Sequence, residues 1–552
     1  MSRTLFWYVF LDLLRIFGLT VGALAGVMSF GGLLRPLTQH GLDASQMAAV
    51  LYYFMPAMST YSLPIAALFA TTMVYGRLSA DNEITAMRAG GISHLAIAFP
   101  AVMLGAIVFS ISAFFLLYVV PVFTLKVEQV VYSNMARIVA SQIEQSHEIK
   151  LGDISVFARG AQIPTPDPAH PDEQRVILDG PAFKTYLRRD SENPKVRVPE
   201  DFWFARRATA FISQLNNEVS VNIRLEGGVK FSREPRGAVE AGIAQTWIGP
   251  IPVPSPIKEN TKFMDIARLH ELMKDPARSA RVQAELSSSV RAEQESSYLR
   301  TIAQTLHTGD GTFVFTGGSE TYLLSIGDAD LDPRRHQILA SSRGGGRSIR
   351  LTQEKDGRST LRAEAGKLTM RVRADNVNER FVVVVLLEDV ATTSGDITAT
   401  RDRFPRDFSV PMPSEQTQIR ALPIEHFLNS PGISAEDRRQ LARELVIIGN
   451  DVVSEVHGRA SFAVSCLILV LVGCALGMMF KSGNFLSAFA ISVIPAMLCI
   501  VLIVSGQHVA QNVPALPTAV NNPLGLGIML IWCGNIVVAG IAFTLLWRLQ
   551  RK

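Results

Sequence analysis

Six long apolar runs constrain this chain more than any other feature. They are Leu5–Leu34, Met47–Tyr75, His94–Pro121, Ala460–Phe480, Phe485–Gly506 and Leu524–Trp547. Each matches the roughly 20 residues a helix needs to cross a hydrocarbon core. Inside lipid the backbone must satisfy its own hydrogen bonds, so runs of this kind are read as membrane-spanning helices. Composition agrees: 48% of residues are hydrophobic and only 18% charged. All four cysteines, Cys466, Cys474, Cys499 and Cys533, fall in the C-terminal runs, so the polar middle is no disulfide scaffold. A net charge of +4 with no basic–aromatic stripe argues against a nucleic-acid partner.

The expected fold class is an α+β membrane protein, with three spans before and three after one large β-rich insertion. Candidate strands in the insertion include Val219–Leu225 and Phe381–Leu387, set among Gly, Pro and Asp turns. Leu5–Leu34, with Asp12 and Arg15 near its start, reads as an uncleaved anchor closed by Arg35-Pro36. Pro56 and Pro64 should kink or break the second span unless neighbours satisfy the freed carbonyls. Orientation follows the basic residues of the short loops. Arg3, Arg77, Arg88, Lys481, Arg548, Arg551 and Lys552 share one side, and Arg35 alone marks the other. Both termini and the segment 76–93 are thus expected in the cytoplasm, with the insertion outside.

The insertion repeats a pattern. Ala205–Ile212 and Val219–Leu225 have counterparts in Ala363–Met370 and Phe381–Leu387. Ile251-Pro-Val-Pro leading to a helix over 265–273 matches Val410-Pro-Met-Pro leading to one over 422–428. The expected parts are 1–144 with three spans, β units at 145–305 and 306–450, and 451–552 with three more spans. The helix of the second unit is expected to run on into the fourth span.

Nothing in the chain argues for an enzyme or a cofactor: there is no P-loop, HExxH, CxxC or nucleophile elbow. His457 and His508 read as interfacial histidines, and Asp328, Asp330 and Asp332 as a solvated turn. Two features remain as site candidates. Gly76–Ser93 joins spans two and three and is either a plain loop or a coupling helix on which a soluble partner pushes. Its stripe would be Ala80, Ile84 and Met87, with Asn82, Thr85 and Ala86 opposite, Asp81 or Asn82 as cap and Gly90-Gly91 as stop. Arg35 stands at the far end of span one, where a guanidinium either snorkels or pairs with an anionic lipid group.

The motifs Ser62-Leu-Pro-Ile-Ala-Ala-Leu-Phe-Ala, Gly76–Ser93 with its core Glu-Ile-Thr-Ala-Met-Arg-Ala-Gly-Gly, Glu455-Val-His-Gly-Arg459 and Leu476-Gly-Met-Met-Phe-Lys-Ser-Gly resemble those of the LptF/LptG (YjgP/YjgQ) permeases. The resemblance covers roughly 1–145 and 450–552. It implies the membrane subunit of an inner-membrane ABC transporter that extracts lipopolysaccharide or a related glycolipid. The implied partners are a cytoplasmic ATPase, a paralogous permease or second copy of the chain, and a periplasmic β-jellyroll lipid bridge. It also implies that Arg77, Asp81, Glu83, Ile84, Met87 and Arg88 meet the ATPase, Glu83 foremost, and that Arg35 faces the lipid. The family carries one β-jellyroll, so a tandem jellyroll-like insertion is a departure. The competing readings are a scaffold or sensor with periplasmic β-domains, and an ABC permease that transmits mechanical work.

Overall fold

The structure is a computed structural model. It describes residues 3–39, 44–132, 135–146, 148–151, 154–164, 174–185, 188–189, 197–198, 201–215, 218–232, 238–253, 260–308, 311–317, 320–326, 329–332, 337–342, 349–355, 358–375, 379–394, 397–480, 485–512 and 522–551. Among them, six helices are long and apolar enough to cross a membrane. Three come early: α1 (Arg3–Gln39), α2 (Ala44–Ala80) and, after the short α3 (Glu83–Ala89), α4 (His94–Phe114). A π-helical turn, Phe115–Val119, carries α4 on into α5 (Val120–Tyr132), followed by α6 (Met135–Ser146).

One sequence expectation changes here. α1 does not close at Arg35-Pro36 but runs to Gln39. Proline's fixed φ suits a helix, and its cost is one lost hydrogen bond and a local clash. α2 passes through both Pro56 and Pro64 without ending. Around them the hydroxyls of Ser59, Thr60 and Ser62 donate to the carbonyls of Met55, Ala57 and Ser59 of the same helix.

The first sheet contains β1 (Glu148–Leu151), β2 (Ile154–Phe157), β3 (Gly160–Gln162), β4 (Gln174–Asp179) and β5 (Ala182–Thr185). After a separate two-stranded ribbon, β6 (Arg188–Arg189) and β7 (Arg197–Val198), come β8 (Asp201–Leu215), β9 (Glu218–Ser232) and β10 (Ala238–Val253). Its order is β1-β2-β5-β8-β4-β3, with β9 on β8 and β10 on β9. Val176, Phe183, Ala208, Val221, Ile223 and Leu225 turn to one face, and Ala136, Ala140 and Ile143 of α6 pack against them. A 3-10 turn, Thr261–Phe263, and α7 (Ile266–Lys274), capped by Asp265, follow.

α8 (Ala280–Thr308) precedes a second sheet. That sheet holds β11 (Thr312–Gly317), β12 (Glu320–Ser325), β13 (Asp330–Asp332), β14 (Gln337–Ser341), β15 (Ile349–Lys355), β16 (Arg358–Asp375), β17 (Arg380–Ser394) and β18 (Ile397–Pro411). Its order, β11-β12-β15-β16-β14-β13 with β17 on β16 and β18 on β17, repeats the first strand for strand once the β6–β7 ribbon is set aside. Even the irregularities match. Gly227 of β9 and Asp389 of β17, 162 residues apart, both take a left-handed φ, near 64° and 56°. Opposite them Arg206 and Gly366 accept from the N–H of Gly180 and Ser342 respectively. Arg206 and Gly366 lie 160 apart, so the sequence pairing of Ala205 with Ala363 is two residues short. Both stretches are themselves strands, within β8 and β16.

The second core joins Tyr298, Leu299, Ile302 and Leu306 of α8 to Phe315, Phe381, Val383, Val385 and Leu387. Tyr298 stacks on Phe381 with ring centroids 4.3 Å apart. α8 thus crosses the boundary expected at 305/306, and the compact unit runs from Ala277 to Leu445 with Ser232–Val239. The other unit comprises Met1–Phe231, Glu240–Pro276 and Val446–Lys552. Asp330 and Asp332 lie on β13, paired with β14, instead of in a turn; Asp328 lies outside the described residues.

α9 (Ser414–Gln418) and α10 (Ile424–Asn429) follow β18. α10 stops at Ser430, so it is not the helix that enters the fourth span. A new helix, α11 (Ala435–Met479), starts behind a Ser434 cap and holds the apolar run in its second half. α12 (Phe485–Gln511) and α13 (Pro523–Arg551) complete the chain. Close backbone approach fixes this bundle. A Cβ on Gly477 of α11 would lie 3.0 Å from the Gly76 nitrogen, and one on Gly506 of α12 would lie 2.6 Å from the Gly527 oxygen. Small residues at such contacts let membrane helices gain dispersion where no hydrophobic drive exists.

Candidate functional site

The link between α2 and α4 is built from its buried side outward. Tyr75, fully buried, donates its hydroxyl to the Ile97 carbonyl at 2.9 Å, tying the end of α2 to the start of α4. Ser79 Oγ donates to the Met478 carbonyl of α11 at 3.1 Å. Between these anchors α3 spans only seven residues, too few to persist alone in water. Its stability comes from Ile84 and Met87, which sink into the core formed with Leu78, Tyr75 and Ile97. Burying two such side chains contributes roughly 1.5–3 kcal/mol each.

The helix is shorter than the segment 76–93 that the sequence suggests, because Gly76–Ala80 still belongs to α2. Asn82 occupies the N-cap with a left-handed φ of 60°, and its side chain makes no cap hydrogen bond. The stop is as expected. Gly91 takes φ +82°, while Gly90 and Gly91 donate to the carbonyls of Ala86 and Arg88.

The sequence-named residues separate by direction. Asp81 and Arg88 are exposed, as are Asn82, Thr85 and Ala86, and Glu83 is half-buried. Ile84 and Met87 face inward, and the stripe expected to include them is an anchor. Arg77 forms an ion pair with Asp12 of α1, and Tyr8 of α1 donates to Glu83 Oε1 at 3.5 Å. Tyr8 was not singled out from sequence, and Asp12 only as a charge near the start of the first span, because only the fold brings α1 beside the link. The result is a rigid protrusion with an apolar root and a polar outer face. Arg35 belongs to α1 by its backbone, and its side chain lies outside the described residues.

A second polar centre lies on α11. Arg459 Nε donates to Glu455 Oε1 at 2.8 Å, and the pair is almost fully buried. Arg459 Nη1 donates to the Leu116 carbonyl in the π-helical turn at 3.0 Å. Nη2 reaches the carbonyls of Thr261, Lys262 and Met264 at 2.9, 3.2 and 2.9 Å. Gln507 of α12 donates to Glu455 Oε2 at 2.8 Å, while Thr261 Oγ1 and Gln511 donate to Asp451. One guanidinium therefore binds the exit turn of the first β unit to the π turn and to α11. A buried charge costs little only when so fully partnered. His457 accepts from Trp532 Nε1 at 3.2 Å, consistent with a satisfied interfacial histidine. The sequence quoted Glu455–Arg459 as a motif without a role; the i, i+4 spacing of opposite charges ahead of an apolar run is the signal that points to it.

No curated protein matches the chain. The profile of one family, described as the lipopolysaccharide export system permease LptF/LptG, matches residues 7–163 and 293–548. These two blocks take in most or all of each of the six apolar helices, α3, the Glu455–Arg459 pair and the second sheet, and leave 164–292, with Thr261, Lys262 and Met264, between them. The chain belongs to the LptF/LptG family of lipopolysaccharide export permeases.

Proposed function

We propose that this chain is the permease subunit of an ABC transporter, taking lipopolysaccharide or a related glycolipid out of the inner membrane under the power of a separate cytoplasmic ATPase. The observation that carries the reading is α3, whose apolar face is buried against the spans while Asp81, Asn82, Thr85 and Arg88 stay exposed. A partner pressing on that face moves α2 and α4 with it, because Tyr75, Ser79, Ile84 and Met87 hold the protrusion to the bundle. Glu83 is the proposed main contact, with Asp81 and Arg88 beside it. Ile84, Met87 and Arg77 act by fixing its position.

Both termini and α3 are cytoplasmic in this reading, by the distribution of Lys and Arg, and the β units are periplasmic. The matching strand orders and matching left-handed residues support two jellyroll-like copies of one unit within the insertion. In this reading acyl chains pass along the two copies to a periplasmic bridge. Leaving such chains in water costs about 0.8 kcal/mol per CH₂. Arg35 is proposed to meet an anionic group of the lipid, and a paralogue or second copy completes the transporter.

The test is reconstitution. The full chain with its partner permease and ATPase, in proteoliposomes, should release labelled lipopolysaccharide to a β-jellyroll acceptor only with ATP. Failure of any ATPase to co-purify, or release independent of ATP, overturns the reading.

A further inference from the structure

Beside Arg459, the π-helical turn Phe115–Val119 and α11 line a partly open cavity of about 270 Å³. Its walls are Phe109, Leu116 and Leu117 on one side, Val456 and Ala463 on the other, and Ile266 at one end. Among the described residues, the one charged group in the lining is the Arg459 guanidinium, whose nitrogens donate to Glu455 and four backbone carbonyls. The surface that the lining turns to the cavity is apolar, which gives a phosphate or carboxylate nothing to bind. It gives water nothing either, and an apolar cavity without polar partners stays dry.

What surrounds the cavity decides its occupant. Phe109, Leu116 and Leu117 belong to a span only 22% buried, where Phe109 itself is 37% exposed and Phe99, Phe114 and Tyr118 of the same span are exposed at 57%, 56% and 54%. In a membrane those faces meet lipid hydrocarbon. A cavity of about 150 Å³ is large enough for one benzene ring, so this one takes the end of a single chain and not the several chains of a glycolipid. The π turn, a widened stretch often found at functional sites, is pinned by Arg459 where the chain would enter.

We infer that this cavity holds the acyl tail of one bilayer phospholipid, packed between α4 and α11 against the turn that Arg459 fixes. The tail fills space that the two helices leave open. It is a resident lipid, distinct from the transported one.

The experiment uses the full chain in vesicles of phosphatidylethanolamine and phosphatidylglycerol, with a tracer phospholipid carrying a diazirine at its acyl terminus. After irradiation, adducts are mapped by mass spectrometry. They are expected on the peptides of Leu116, Leu117 and Val456, besides lipid-facing positions such as Phe543 of α13, 72% exposed. Ala463→Phe and Leu117→Trp fill the cavity from opposite walls, and either should abolish the cavity adducts while Phe543 labelling persists. Phe543 labelling shows which variant has folded, so the second decides if the first has not. Absence of cavity adducts in wild type, or their survival in both filled variants, overturns the inference. So does their displacement by purified lipopolysaccharide ahead of excess unlabelled phospholipid. Transport and ATPase association are separate readouts, so failure here leaves the proposed function standing.

Discussion

Arg459 and Glu455 sit one turn apart on α11, joined at 2.8 Å with side chains 4% and 8% exposed. Arg459→Ala should cost about 3–5 kcal/mol, because a buried carboxylate and four backbone carbonyls lose their donor together. Glu455→Gln keeps an acceptor facing Arg459 and should cost clearly less. Thermal unfolding of the purified chain in detergent measures both. Equal stability of Arg459→Ala and wild type would sink the assignment of this pair as a structural tie.

Glu83 tests the coupling reading. A charge-assisted contact at a protein interface typically costs roughly 2–5 kcal/mol when one side is truncated. Glu83→Arg should therefore weaken ATPase association by at least about tenfold, measured by co-purification or by titration in detergent. Tyr8→Phe, which removes only the 3.5 Å contact to Glu83, should leave association near wild type. Ile84→Asp should disorder α3 and lose the partner through a different route, with reduced stability of the chain alone. Wild-type yield of the complex with Glu83→Arg would return α3 to being a connecting element.

Glu295 on α8 gives a pH dependence. Burial drives its pKa up from 4.5 to about 7, against opposing effects from the Ala374 N–H, which it accepts at 2.9 Å, and from Arg291. The folded state then binds a proton that the unfolded state has already released between those values. Stability contributed here is full below about pH 4.5 and declines as pH rises to about 7, by on the order of 2–3 kcal/mol. Glu295→Gln should flatten that decline and be the more stable protein at pH 8. Chemical denaturation of the chain at pH 5, 6, 7 and 8 checks it, and identical pH profiles would refute it.

Proteolysis distinguishes the boundary. Leu299, Ile302 and Leu306 of α8 belong to the second core. Trypsin treatment in detergent should accordingly yield a resistant fragment starting near Ala277 and ending near Leu445. A fragment starting near residue 306 would mean that α8 is not part of that unit.

Orientation is checked by single cysteines in a background lacking the four native ones. Thr85 of α3 and Thr400 of β18 are both exposed. Thr85→Cys should react with an impermeant maleimide only from the cytoplasm, and Thr400→Cys only from outside. The reverse pattern would invert the topology.

The sequence by itself determined the spans and the β-rich character of the middle. Both depend on local patterning: a run of apolar residues has one solution in lipid, and alternation in Val219–Leu225 or Phe381–Leu387 has one buried face. It also determined the polar and apolar faces of the 76–93 link, since 3.6-residue periodicity needs no partner to be read. Helix ends were less legible. The stop expected at Arg35-Pro36 did not occur, and α2 runs on through Pro56 and Pro64, because proline's fixed φ suits a helix and its cost is local. The repeat was visible as an offset, but its register was not, since common residues align equally well two positions apart. The left-handed pair Gly227 and Asp389 fixes it through backbone geometry. Tertiary structure alone decided that Tyr8 and Asp12 stand beside Glu83 and Arg77, 75 and 65 residues away, and that one arginine gathers the carbonyls of Leu116, Thr261, Lys262 and Met264. Those partners are backbone atoms of distant segments, identical in every residue type, so no side-chain pattern encodes which of them a buried guanidinium will find.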